Sequence, residues 1–258
     1  MDINFFSLQY TDLSNPGIRS LFREMRLLAT FGLILICSHT WAAAEKDLYG
    51  TKLEDFLEKF RSSIRDGNKD FGIPPLDPFK SDKIPIKLNE KDINLDALLT
   101  KVNMQGLSGY KVNSGDFRLI GLKVVMDLTW PLIYAVTNYS MNGTVGGTVA
   151  LYGKGDIEIG AKDLDIYLEV SLKVKGKYLE VKSVTLKISL RALQFTITGL
   201  FDDKDMSELI SAVISDMMPK LIQDYQSDIV GVINPIIEDK VNGFLADKTI
   251  SDLLKLLG

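Results

Sequence analysis

The sequence predicts an α+β domain in which an elongated, strongly curved antiparallel sheet wraps a long C-terminal helix. Three observations predict it. Across residues 84–198 apolar side chains recur at every second position, the period of a strand with one dry face. Over residues 206–245 they recur at helical spacing on one stripe. Ahead of both, Leu53, Phe56, Leu57, Phe60 and Ile64 mark a shorter amphipathic helix.

The chain starts with a segment that has no steady periodicity, followed by Arg19, Arg23 and Arg26, an apolar run from Leu27 to Cys37, and Ala42-Ala43-Ala44. A positive flank, a short apolar core and small residues make a signal peptide, with cleavage expected after Ala44. Met25 is an alternative start. The expected division is 1–44 as extension and signal, and 45–258 as one mature, secreted, extracellular domain. The apolar run is too short to span a bilayer, so no stable membrane insertion is expected. The only cysteine and the only histidine, Cys37 and His39, both lie in the leader. The mature domain therefore lacks Cys nucleophiles, His bases, Ser-His-Asp triads and Cys/His zinc sites, and its stability must come from its core rather than a disulfide. A net charge of −4 disfavours nucleic acid as a partner.

In the mature chain the first helix stops at Gly67-Asn68. Three prolines in Gly72-Ile73-Pro74-Pro75-Leu76-Asp77-Pro78 then impose an extended crossing. Six to eight strands follow. The cleanest alternation is Leu164, Ile166, Leu168, Val170, Leu172 and Val174 against Asp165, Tyr167, Glu169, Ser171 and Lys173. Turns are expected at Asn113-Ser114-Gly115, Asn142-Gly143, Gly153-Lys154-Gly155 and Lys175-Gly176-Lys177, and a strand end at Trp130-Pro131. Asn138-Tyr139-Ser140 and Asn142-Gly143-Thr144 are glycosylation sequons, which predict an exposed loop there. In the C-terminal stripe, Pro219 and Pro235 should kink or divide the helix, and Asp205 with Glu208 should cap it.

A one-sided sheet must cover its dry face, and the large apolar surface available is the long helix. A close-packed core and a slender ligand cavity both satisfy that pattern. If there is a cavity, its expected lining is Met104, Leu122, Val124, Met126, Leu128, Trp130, Tyr134, Ile166, Leu168 and Val170 from strands, with Val213, Met217, Leu221 and Tyr225 from the helix. Methionines suit a site that accepts more than one ligand shape and suit gap-filling equally.

The Gly-Ile-Pro-Pro-Leu-Asp-Pro run after an amphipathic helix resembles the insect takeout and juvenile-hormone-binding proteins. Gly106-Leu107-Ser108, Tyr139-x-x-x-Gly143, Gly153-x-Gly155, Tyr178-Leu179-x-Val181, Leu200-Phe201 and Pro235-Ile236 follow in that family's order. The resemblance spans the mature chain. It implies an elongated tubular lipid-binding fold with a hydrophobic tunnel, a terpenoid hormone, fatty acid or similar lipid as ligand, and no enzymatic activity. It departs from the family in lacking the Cys pair near the mature N-terminus and in reading Ser215-Asp216-Met217-Met218-Pro219 within the long helix.

Other chemistry finds little footing. The Gly-rich stretch 142–160 lacks phosphate-loop spacing, and no cofactor motif is present. Asp163 and Asp165 read as a solvated strand face, and Asp202, Asp203 and Asp205 as helix-start chemistry, so no metal site is expected. The leading expectation is a monomeric carrier of a hydrophobic small molecule, with an unidentified receptor as a further partner. The alternatives are an extracellular protein- or membrane-interaction module with a filled core, and a lipid-active enzyme.

Overall fold

The computed structural model describes residues 48–69, 74–90 and 93–257; the expected signal segment and the expected cleavage after Ala44 lie outside them. Helix α1 (Leu48–Asp66) is followed by strands β1 (Phe79–Glu90), β2 (Ile93–Gln105), β3 (Lys111–Arg118), β4 (Lys123–Val145), β5 (Val149–Lys175) and β6 (Tyr178–Ile197). Helices α2 (Lys204–Asp224), α3 (Gln226–Leu245) and α4 (Ile250–Leu257) close the chain. All six strands form one antiparallel sheet in the order β1-β2-β4-β5-β6. β2 and β3 share one edge of β4. β3 pairs with Lys123–Thr129, and β2 with Tyr134–Val145.

That sharing explains Pro131. Trp130-Pro131 is not a strand end, as the sequence reading expected, but lies inside β4 in the gap between the β3 and β2 pairings. No neighbour there asks for the N–H that proline lacks. At the same level the pairing of β4 with β5 and of β5 with β6 passes over Asp163, whose φ is 47°. Below that row the apolar side carries even residues (Val124, Met126, Leu168, Val170, Leu186, Leu190), and above it odd ones (Tyr139, Ile157, Phe195, Ile197). A left-handed residue within a strand turns the alternation over, as a bulge does, so the dry side stays continuous along strands of up to 27 residues.

Three expected turns prove to be something else. Asn113-Ser114-Gly115 is a bulge inside β3, where the register shifts between Val112 and Ser114. Asn142-Gly143 and Gly153-Lys154-Gly155 lie within β4 and β5, and the reversal between them is made by Gly146-Gly147, both with positive φ. Both sequons therefore sit on a strand, not a loop. The glycines serve close approach instead. A Cβ on Gly153 would stand 2.6 Å from the Tyr139 hydroxyl and 2.8 Å from the Gly199 carbonyl. Tyr139 uses the space, donating its hydroxyl to the Thr198 carbonyl at 2.8 Å. Lys175-Gly176-Lys177 is a turn, as expected.

The C-terminal helix divides at Tyr225, whose backbone leaves the helical region, while Pro219 and Pro235 stay inside α2 and α3. The cap is Asp203, which accepts from the Met206 N–H; Asp205 sits two residues too late, in the first turn of the helix. What binds the helices to the sheet is a line of polar side chains along the free edge of β6. The N–H groups of Leu200, Ile197 and Phe195 donate to the hydroxyls of Ser207, Ser211 and Ser215 at 3.0, 2.9 and 2.9 Å. Further along, Ile188 N–H donates to Gln226 Oε1, Asn234 donates to the Val184 carbonyl, and Val181 N–H donates to Asn242 Oδ1. An edge strand left open templates pairing with another chain, and here the helix takes that role side chain by side chain. Ser211→Ala is expected to cost about 1–3 kcal/mol in urea unfolding, because the buried Ile197 N–H loses its acceptor. A change below about 0.5 kcal/mol would show that the ladder is incidental.

An apolar trough between the sheet and helix α2

The lower half of the dry side is filled. α1 contributes Leu53 and Leu57, α3 Ile237 and Leu245, and α4 Leu253, which pack with Phe117, Val124, Met126, Leu168, Val170, Leu172, Leu179, Val181 and Leu186 in one cluster. Of the residues expected to line a cavity, Leu122, Val124, Met126, Leu128, Ile166, Leu168 and Val170 are gathered here, among side chains rather than around an opening. The register makes that cluster. Val124, Met126 and Leu128 stand opposite Val170, Leu168 and Ile166.

Two buttresses hold this end. The Asp77 carboxylate accepts from the Gly106 N–H at 2.9 Å, the Ser108 N–H at 2.8 Å and the Ser108 hydroxyl at 2.5 Å, which ties the Pro-rich crossing to the loop after β2. Gly106 has φ +96° and backs onto the Leu132 carbonyl, so no side chain fits there. Tyr110 donates its hydroxyl to the Leu57 carbonyl, and burial pushes its pKa well above the ordinary phenol value. Trp130 packs on the Tyr110 ring at 5.5 Å and donates its indole N–H to the Leu107 carbonyl at 2.9 Å. Trp130 thus secures the loop.

The upper half is different. On the dry side of β1, β2 and β4, Ile84, Ile86, Leu88, Leu95, Leu99 and Met104 fall in register, and all are only partly buried. The helices pack mainly against β3 and β6 and leave this stretch as one wall of a trough. The opposite wall is α2. With Ser207, Ser211 and Ser215 against β6, helical geometry puts Ile210 and Ile214 on the flank beside them, and Val213 and Met217, each two residues from a ladder serine, further round and away from β6. Ile210 on that flank packs with Phe195 and Ile197 from the dry side of β6. Glu208 and Ala212 occupy the other flank, over Thr196 and Thr198. Val213 is 41% exposed and Met217 48%, although both are large and apolar. Partly buried apolar side chains thus stand on the β1–β2 stretch, and half-exposed ones on α2.

Val213, Met217 and Leu221 of the expected lining lie on α2, the first two half exposed, Met104 lies on the sheet side, and Tyr225 sits at the α2–α3 break. Tyr134 instead shares the solvent face with exposed Glu158, whose carboxylate hydrogen-bonds its hydroxyl and raises its pKa. The serine ladder was missed in the sequence. Its signal is three serines four apart beside an apolar stripe. Asp165 accepts from Thr129 and Ser189 on the solvated face, and among the described residues no three or more His, Cys, Asp or Glu side chains gather as a metal set would. No described helix is long and apolar enough to cross a membrane.

A comparison with curated protein sequences returns no match. Among solved structures the chain resembles Takeout 1 of Epiphyas postvittana, with a TM-score of 0.50 and 18% identity over 78% of this chain and 96% of that one, a likeness of fold. The family model for haemolymph juvenile hormone binding protein (JHBP) matches residues 41–255, and its members are binding proteins for hydrophobic small molecules. By that match over most of its length, and by the curved sheet with its C-terminal helix, the chain belongs to the haemolymph juvenile hormone binding protein family.

Proposed function

We propose that this protein is a secreted, non-enzymatic carrier that holds a terpenoid, fatty acid or similar lipid in the trough between α2 and the upper sheet. The observation that carries the reading is α2 itself: Val213 and Met217, both large and apolar, stand about half exposed. Water on such a surface costs about 25 cal/mol per Å², and a slender hydrocarbon laid between the walls recovers that from both sides. The sheet and helix around the guest would form the tunnel expected from the family resemblance. The reading supposes a monomer of residues 45–258, cleaved after Ala44, that carries N-linked sugar, with a receptor as a further partner.

The test is native mass spectrometry of protein purified from eukaryotic culture medium, followed by organic extraction. A co-purifying hydrophobic molecule, displaced by a fluorescent fatty-acid or terpenoid probe, is the expected result. Protein that is recovered empty and ignores both probes would sink the proposal in favour of an interaction module with a filled core.

A further inference from the structure

We infer that the folded, secreted chain carries its N-linked glycan on Asn142 and not on Asn138, and that the first sugar packs on the ring of Tyr152. The inference rests on the secretory route proposed above.

Both sequons offer the same chemistry. The side-chain Nδ2 attacks the anomeric carbon of an oligosaccharide donor linked to a polyprenyl pyrophosphate. The C–N bond forms as the C–O bond to pyrophosphate breaks. The lipid pyrophosphate leaves with the bonding pair, and the amide proton passes to a base of the transferase. What separates the two sites is the fold each must then accommodate. Asn138 stands between Thr100 on β2 and Asp156 on β5, is half-buried, and spends its Nδ2 on the Asp156 carboxylate in a short hydrogen bond. A sugar on that nitrogen must push into the Asp156 contact. Asn142 lies four residues on, on the same face of the same strand, and is exposed.

Its neighbours suit a sugar. Directly across the ladder on β5 is Tyr152, and directly opposed side chains on one face stand about 5 Å apart at Cβ. Tyr152 is 41% exposed, and its orientation is set: the ring meets Phe201 edge-on at 5.5 Å, and the hydroxyl donates to the Phe201 carbonyl at 3.3 Å. A fixed, half-exposed aromatic face beside the acceptor nitrogen matches the apolar C–H face of a pyranose. On the β2 side, Asp96 is held outward by Lys87 and leaves the ring side clear.

The full chain is secreted from insect cells, digested with peptide N-glycosidase, and mapped for the Asn-to-Asp mass change. One glycan, at Asn142, is expected; Asn142→Gln should abolish the mobility shift and Asn138→Gln should leave it. Enzymatic deglycosylation should lower Tm by about 2–4 °C in wild type and in Tyr152→Phe, and leave Tm unchanged in Tyr152→Ala, which lacks the ring. A glycan on Asn138, on both sites or on neither in secreted protein overturns the site assignment, and an equal Tm loss in Tyr152→Ala overturns the ring contact. A parallel chain with residues 1–44 replaced by a proven secretion signal separates the two readings. If only that chain is secreted and carries the Asn142 glycan, the native leader reading fails and the site stands.

Discussion

Asp77→Ala is expected to destabilise the protein by about 3 kcal/mol, a fall in Tm of roughly 6–12 °C for a domain of this size. One carboxylate satisfies two backbone N–H groups and a hydroxyl, and all three lie in the loop that Gly106 turns under β4. Alanine leaves the two N–H groups without an acceptor in a partly buried site, and hydrogen bonds to charged groups are the costly ones to lose. Asp77→Asn should lose most of the same amount, because its amide turns two donors toward donors. Ser108→Ala removes one of the three bonds and should cost about 1 kcal/mol. Thermal and urea unfolding of the three variants measure this, and an Asp77→Ala loss under 0.5 kcal/mol would show the cradle to be incidental.

Val213→Glu combined with Met217→Glu is expected to weaken binding of a fluorescent fatty-acid or terpenoid probe at least about 100-fold while leaving stability nearly unchanged. The two effects separate because both side chains are about half exposed. Surface substitutions of that kind usually cost within about 0.5 kcal/mol each. Once a hydrocarbon guest covers the flank, however, each carboxylate must be stripped of water without a partner. Ala212→Glu is the matched control, since Ala212 lies on the other flank of α2 over Thr196 and Thr198. Its affinity should equal wild type. Equal affinity in the double variant would place the ligand elsewhere.

Much of this was legible in the sequence because it depends on local period. α1 ends at Asp66, with Gly67 beyond it at φ 79°, where the Gly-Asn stop was read, and the period-two and helical stretches fall where their apolar spacing put them. The errors share a cause. Asn113-Ser114-Gly115, Gly153-Lys154-Gly155 and Trp130-Pro131 carry the residue types of turns and strand ends, yet each sits within a strand. Gly153 is small because Tyr139 and Gly199 press on it, and Pro131 is tolerated because neither β2 nor β3 reaches it. Both reasons lie in strands distant in sequence. The same holds for the helix, which divides at Tyr225 rather than at either proline.

By itself, then, the sequence determined the class of fold, the order of its elements and the apolar character of one side, since periodicity is written in neighbouring residues. Only the tertiary structure decided which apolar residues fill a core and which stand open. Met126 and Met217 are alike in the sequence, but one is packed between β5 and the helices while the other projects half exposed from α2, the helix whose serines tie it to β6. Exposure is a property of what packs against a side chain, and that is settled by register and by the edge contacts of β6 rather than by the side chain's own chemistry.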